Sequence, residues 1–247
     1  LTGDHIHYAC INGRDTARFQ ELGCSPLHNL PNPVEAAAGP TPAATSRAIR
    51  AELGCERLLL YPVRAVRRKN FGELLLWSCC LQPGEALATT LGPTNRNFEA
   101  GYQHWCELAE TLDLPVHFGL GERYDWPFPA LVKTASAIVT TSIAEGFGLA
   151  YLEPWLFGKI ILGRDLPAIT DDFRAVGVRL DHLYPALPIP EDWIDVPALR
   201  DKLASALRDA YTTYARKLPA DGVERALAGI TPAPGMIDFG GLDETLQ

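Results

Sequence analysis

Methionine is nearly missing from this chain: Met236 is the only one in 247 residues. The chain does not open on an initiator, so Leu1 reads as a cleavage product or the first residue of a fragment. Positive charge is short, 22 Lys and Arg against 30 Asp and Glu, for a net charge of −8. That deficit argues against general nucleic-acid binding and leaves room only for a local basic patch. No run approaches the eighteen or so apolar residues of a membrane span, so no transmembrane segment is expected. A secretory signal pattern is missing too. The cysteines Cys10, Cys24, Cys55, Cys79, Cys80 and Cys106 include no Cys-x2-Cys pair, which argues against a zinc site or a disulfide scaffold. They read as reduced, mostly buried thiols of a cytoplasmic protein. His5 and His7 share one face of a short strand, but no third ligand lies nearby, so no metal is expected. Internal repeats and low-complexity blocks are also lacking.

The apolar and charged fractions are those of an ordinary globular protein, long enough to bury a sizeable core in one or two domains. A strand over His5–Asn12, a helix over Arg14–Leu22 ended by Gly23, and a short strand over Leu27–Leu30 open the chain. Pro31 and Pro33 then break any helix and begin an Ala/Pro/Gly/Thr stretch to Thr45, the best linker candidate. From Ala43 onward the spacing predicts helix 43–53, strand 57–63, helix 70–81, strand 85–91 and helix 98–112. Strand 115–118, helix 128–135, strand 137–140, helix 149–157 and strand 159–162 follow. Strand 57–63 is almost continuously apolar, as suits a parallel strand buried on both faces. Repeated βα units predict an α/β fold with a doubly wound, Rossmann-like parallel sheet. Beyond Pro190 the pattern turns to helices 196–217 and 221–229, then a Pro/Gly-rich tail.

The most informative stretch runs from Thr141 to Glu153 and reads Thr-Ser-Ile-Ala-Glu-Gly-Phe-Gly-Leu-Ala-Tyr-Leu-Glu. A strand, a turn with Gly146 and Gly148, and a helix start bring backbone N–H groups to a place where an anion can sit. Glu145 and Glu153 flank the turn; on one helix they would lie about 12 Å apart along the axis. That is too far for the roughly 5 Å carboxylate pair of a retaining glycoside hydrolase. They are better suited to gripping two parts of one long ligand. Glu-x7-Glu wrapped around Gly-Phe-Gly, with Ser142 before it, resembles the signature of the retaining GT-B glycosyltransferases, family 4 in particular.

A second stretch sits at the carboxyl end of strand 57–63, where open α/β sheets bind ligands. Arg64, Arg67, Arg68 and Lys69 fall within six residues of an acidic chain, ready to meet phosphate oxygens. Asn70 is placed to cap the next helix. Family 4 enzymes carry an Arg and a Lys five apart here, both reaching the donor diphosphate, and Arg64 and Lys69 match that spacing. Val63 stands where the family more often has Gly. Arg67 and Arg68 are additional, and read equally as a solvated face. Phe118 and Gly119 end a strand where the family receives the nucleotide base, and are expected to form a pocket wall. Trp77, Trp105, Tyr151 and Trp155, at helical spacing, are expected in the core.

The resemblance implies transfer of a hexose from a nucleoside diphosphate sugar with retention and no separate cofactor. Arg64, Lys69 and Glu145 would be catalytic. Glu153, Gly146, Phe147, Gly148, Leu149, Phe118 and Gly119 would bind the donor. It further implies that residues 1–34 are the tail of an N-terminal acceptor domain, or a linker element, and that 35–247 form the GT-B C-terminal, nucleotide-sugar-binding domain. The partners are then a nucleotide sugar, an acceptor of unknown kind and the missing N-terminal domain, without which little transfer is expected. The alternatives are a non-catalytic nucleotide-binding or interaction module with a degenerate fold, and an epimerase of the same fold. Arg64, Lys69 and both glutamates together favour the transferase.

Overall fold

The apolar run Leu58–Tyr61 is satisfied only where both of its faces are covered. The computed structural model of the chain, which describes residues 5–35 and 42–247, places it in the middle of a six-stranded sheet. The first four residues and residues 36–41, within the expected linker, lie outside that description.

Along the chain, α2 (Ala43–Glu52) leads to β3 (Arg57–Arg64), α3 (Phe71–Ser78), β4 (Glu85–Leu91), α4 (Glu99–Thr111) and β5 (Val116–His117). Two short helices, α5 (Leu120–Arg123) and α6 (Phe128–Thr134), cross to β6 (Ala137–Thr140). Then come α7 (Leu149–Leu156), β7 (Ile161–Arg164), α8 (Pro167–Ala175) and β8 (Leu183–Tyr184). The strand order is β5-β4-β3-β6-β7-β8. The β5–β4, β4–β3, β3–β6 and β6–β7 pairs are parallel. The sheet therefore winds outward in both directions from the β3–β6 seam, and such a reversal opens a crevice at the strands' carboxyl ends.

Alternation along the strands builds two cores. Leu58, Leu60, Ala88 and Ile138 pack with Ile49, Leu120 and Leu131 on the α2, α5 and α6 side. Leu59, Tyr61, Leu87 and Val139 pack with Phe71, Leu74 and Trp105 on the α3 and α4 side. Each fully buried leucine or isoleucine contributes about 1.5–3 kcal/mol of transfer energy. The doubly wound parallel sheet is as expected. The end of α3 and the placing of one tryptophan differ from expectation. α3 stops at Ser78, which leaves Cys79 and Cys80 exposed; among the six free thiols only Cys10 is buried. Trp155 is exposed on α7, while Trp105 and Tyr151 are core residues.

Ahead of this sheet, β1 (Tyr8–Cys10), α1 (Gly13–Glu21) and β2 (Leu27–Asn29) form a βαβ unit with its own two-stranded parallel sheet. His7 does not share a site with His5; its ring stacks on His28 across this unit.

Residues from Tyr184 onward form a second compact unit. It contains β9 (Pro188–Pro190), α9 (Val196–Thr213), α10 (Gly222–Gly229) and β10 (Met236–Asp238). β9 and β10 pair antiparallel, and Leu199, Ile237, Phe239 and Leu242 are its core. The helices match expectation in place, though α9 ends four residues before the predicted 217. The ribbon was illegible because prolines flank Ile189, a pattern that reads as loop away from a sheet edge. Among the described residues no helix is long and apolar enough to cross a membrane.

Close approach of β6 and β7 turns on one glycine. Gly163 has φ 129, and a Cβ there would stand 1.9 Å from the Thr140 carbonyl oxygen of its strand partner. Gly163→Ala is expected to cost about 4 kcal/mol or more in a urea melt. Gly146→Ala, whose Cβ would meet nothing within 4 Å, should stay within about 0.5 kcal/mol. Equal effects would contradict this strand register.

Candidate functional site

At the carboxyl end of β3 the chain makes a single 3-10 turn, Arg67–Lys69, and reaches Asn70 in the left-handed region at φ 52. Asn tolerates that region better than most residues. Its side chain does not cap α3 as expected. Instead Nδ2 donates to Glu73 Oε2 at 2.7 Å. Glu73 is fully buried and forms a two-pronged ion pair with buried Arg164 at the end of β7, with Nε donating at 3.1 and 3.2 Å. This pair joins the start of α3 to the far side of β6.

The turn is then stitched to the segment after β6. The Lys69 carbonyl accepts from Thr141 Oγ1 at 2.9 Å and from the Tyr61 hydroxyl at 3.2 Å. The Asn70 carbonyl accepts from Thr141 Oγ1 at 3.2 Å, and the Arg68 carbonyl from the Ile143 N–H at 2.9 Å. Ser142 Oγ lies 2.7 Å from the Tyr61 hydroxyl. Burial pushes the Tyr61 phenol far above its usual range, so it stays a neutral hydrogen-bonding group.

These bonds bring Lys69 Nζ onto Glu145 Oε1 in a short ion pair, both side chains 9% exposed. Arg68 Nη1 meets the other oxygen, Oε2, at 2.7 Å. Glu145 is in the loop before α7, not on a helix with Glu153. Burial raises its pKa, but the Lys69 charge and hydrogen bonds from Lys69 and Ser142 outweigh that and hold it below the ordinary value. On Lys69 burial wins, and with the like charge of Arg68 it lowers the ammonium pKa despite Glu145.

After Glu145 the chain turns into α7. Gly148 has φ 93, and a Cβ there would lie 2.6 Å from Ile169 Cγ2, so this position needs glycine. Gly146 shows no such need. Phe147 is buried edge-on against Phe173 at 5.6 Å, which seats the turn on α8.

The two segments face one cleft of about 470 Å³. Arg64, Arg68, Lys69, Glu145, Gly146, Phe147, Gly148, Leu149 and Glu153 all line it. Nearly the whole expected set is thus gathered at the reversal seam. Arg64 is exposed, with Nη1 3.4 Å from the Gly92 carbonyl. Glu153 is half-buried, and desolvation raises its pKa. Arg67 is exposed and outside the lining, whereas Arg68 is part of it. Phe118 and Gly119 do not line this cleft: Phe118 is half-buried, stacks on Phe71 at 6.2 Å and meets Tyr102 edge-on.

Residues not anticipated come from the opening βαβ unit and the segment just after it. Ile11 and Asn32 line the cleft. Asn12 caps α1, accepting from the Asp15 N–H at 2.7 Å, while its Nδ2 donates to the Gly146 carbonyl at 2.8 Å. The Gly13 N–H donates to Asp172 on α8 at 2.6 Å. Only the Asn-Gly helix start hinted at a cap in this region. Nothing local shows that it docks on Gly146.

No family model matches the chain. Over 119 residues it is 29% identical to mannosylglucosyl-3-phosphoglycerate synthase of Petrotoga mobilis, covering 48% of this chain and 23% of that protein. The match thus spans under a quarter of that relative's length. Among solved structures, Anabaena HepE in complex with UDP and glucose matches with a TM-score of 0.52 at 16% identity. That likeness covers 62% of this chain and 43% of HepE. The fold is GT-B-like. TarM, TM-score 0.50 and 14% identity, covers 67% of this chain and 30% of its own. The N-terminal domain of Candida albicans trehalose-6-phosphate phosphatase, TM-score 0.52 and 12% identity, covers 68% and 46%.

Replacing Arg164 alone leaves the Glu73 carboxylate buried without its cation. Arg164→Met is expected to cost about 3–5 kcal/mol, and the double change with Glu73→Met should recover most of it. A double variant no more stable than Arg164→Met, measured by denaturant titration, would contradict this ion-pair account.

Proposed function

We propose that this chain is the donor-binding part of a retaining glycosyltransferase of GT-B type, most like family 4, that takes a nucleoside diphosphate sugar. One observation carries the reading: Arg64 and Lys69 from one strand end, and Glu145, Gly148 and Glu153 from the next, line a single cleft at the sheet's reversal seam. The structure of HepE in complex with UDP-glucose supports this class of ligand. Arg64 and Lys69 neutralise the diphosphate, assisted by the N–H groups at the start of α7. Charge grows there as the sugar departs, so preorganised cations stabilise the transition state. Glu145 keeps acceptor capacity beyond its two cations and takes hydrogen bonds from the sugar hydroxyls. Glu153 takes them from the ribose. Retention follows a front-face route in which the leaving diphosphate helps deprotonate the acceptor.

Residues 1–34 are, in this reading, the end of an acceptor-binding domain, and this chain alone holds the donor while transferring little. Their docking through Asn12 and Gly13 supports such a junction. The free thiols support a reducing, cytoplasmic setting.

A thermal-shift panel of UDP, GDP, ADP and their hexose conjugates tests the reading. One nucleotide at a hundredfold its dissociation constant should add about 2.7 kcal/mol of stability. Arg64→Ala and Lys69→Ala should each weaken it by about 1.5–3 kcal/mol. No response to any nucleotide would count against a donor site and for a degenerate module.

The pH dependence has a definite sign. Glu153 binds as its carboxylate, and its pKa is raised, so affinity should fall on acidification at a higher pH than for an ordinary glutamate. Glu153→Gln should weaken binding and remove that limb. A wild-type profile that stays flat down through the raised range would exclude the ribose role.

A further inference from the structure

Arg68 has no counterpart in the two-cation pattern of Arg64 and Lys69, yet it lines the same cleft. The lining holds three cations, Arg64, Arg68 and Lys69, against two carboxylates, Glu145 and Glu153. Without Arg68 the charges would balance, leaving no net attraction for an anion. Lys69, moreover, is already met by Glu145 in a buried pair.

Arg68 is placed by its backbone, whose carbonyl accepts from Ile143 N–H at 2.9 Å. Its Nη1 alone makes both side-chain bonds, to Glu145 Oε2 at 2.7 Å and the Ala144 carbonyl at 3.2 Å. Among the described residues, Nε and Nη2 have no protein partner, so one edge of the guanidinium fork remains for a ligand. A fork of this kind suits two oxygens of one phosphate, which a lysine cannot match. Arg67, next to it, is exposed and outside the lining. The contrast separates a built contact from a basic surface.

We infer that Arg68 is a third diphosphate-binding residue, shared between Glu145 and the ligand, and that it supplies the net positive charge of the cleft. This rests on the donor-site reading above. The carboxylate that holds the sugar and the guanidinium that holds the phosphate are then one connected pair, so the two ends of the donor are sensed together.

Inorganic pyrophosphate, which lacks base and sugar, is the probe, measured by titration calorimetry on the full chain. Arg68→Ala should weaken it roughly tenfold with an unchanged melting midpoint, since the side chain is half exposed. Arg68→Lys should recover only part of the loss, and Arg67→Ala should change nothing. If Arg64→Ala and Lys69→Ala weaken pyrophosphate while Arg68→Ala does not, this inference falls and the donor site stands. Equal losses in Arg67→Ala and Arg68→Ala would reduce the effect to general surface charge and also overturn it. If the wild-type chain binds neither pyrophosphate nor any nucleotide of the panel, both fall.

Discussion

Three consecutive carbonyls, those of Arg68, Lys69 and Asn70, each need a hydrogen-bond donor, and each takes one from the protein. Two of the donors, the Ile143 N–H and the Thr141 hydroxyl, come from across the β3–β6 seam, and the Tyr61 hydroxyl comes from β3 itself. This constraint places the rest. It holds the basic turn against the segment after β6, so Lys69 and Arg68 arrive at Glu145 without either loop having to order itself around a ligand. Thr141 and Ser142 are therefore fully buried polar residues with assigned partners, not ornaments of a motif.

Charge is arranged in two tiers. Beneath the cleft, Glu73 and Arg164 are nearly inaccessible and fix the left-handed turn at Asn70. A buried pair of this kind gives weak net stability, and we read its role as fixing one geometry. Above it, Lys69 and Glu145 form a second buried pair at the cleft wall, and Arg68 and Arg64 extend into more open space. The proposed chemistry lies in this upper tier, where burial of the Lys69–Glu145 pair lowers the local dielectric and strengthens contacts on that wall of the cleft.

Local pattern revealed the sheet because each βα unit carries its own period and punctuation. Strands 57–63, 85–91 and 137–140 were readable as short apolar runs between helices, and the first extends one residue further, to Arg64. The cleft was readable because its two loops each carry a dense signal, four cations in one and Glu-x7-Glu around Gly-Phe-Gly in the other. What pattern could not show is pairing over distance. Glu73 and Arg164 are 91 residues apart, and Asn12 and Gly146 are 134 apart. Neither pair leaves a local trace. Phe118, expected as a pocket wall, is half-buried against Phe71 and Tyr102 and does not line this cleft, a packing over distance that an aromatic before glycine at a strand end does not reveal. Helix α8 was missed because Pro167 at its first turn reads as a break, though proline is well tolerated there.

The central claim is that a nucleoside diphosphate lies across the β3–β6 seam. The most direct test is a crystal structure of the chain with the nucleotide that stabilises it most. The account requires phosphate oxygens within hydrogen-bonding distance of Arg64 and Lys69, beside the first turn of α7, with the ribose at Glu153. A nucleotide bound elsewhere, or in this cleft with its phosphates remote from the basic turn, would contradict it.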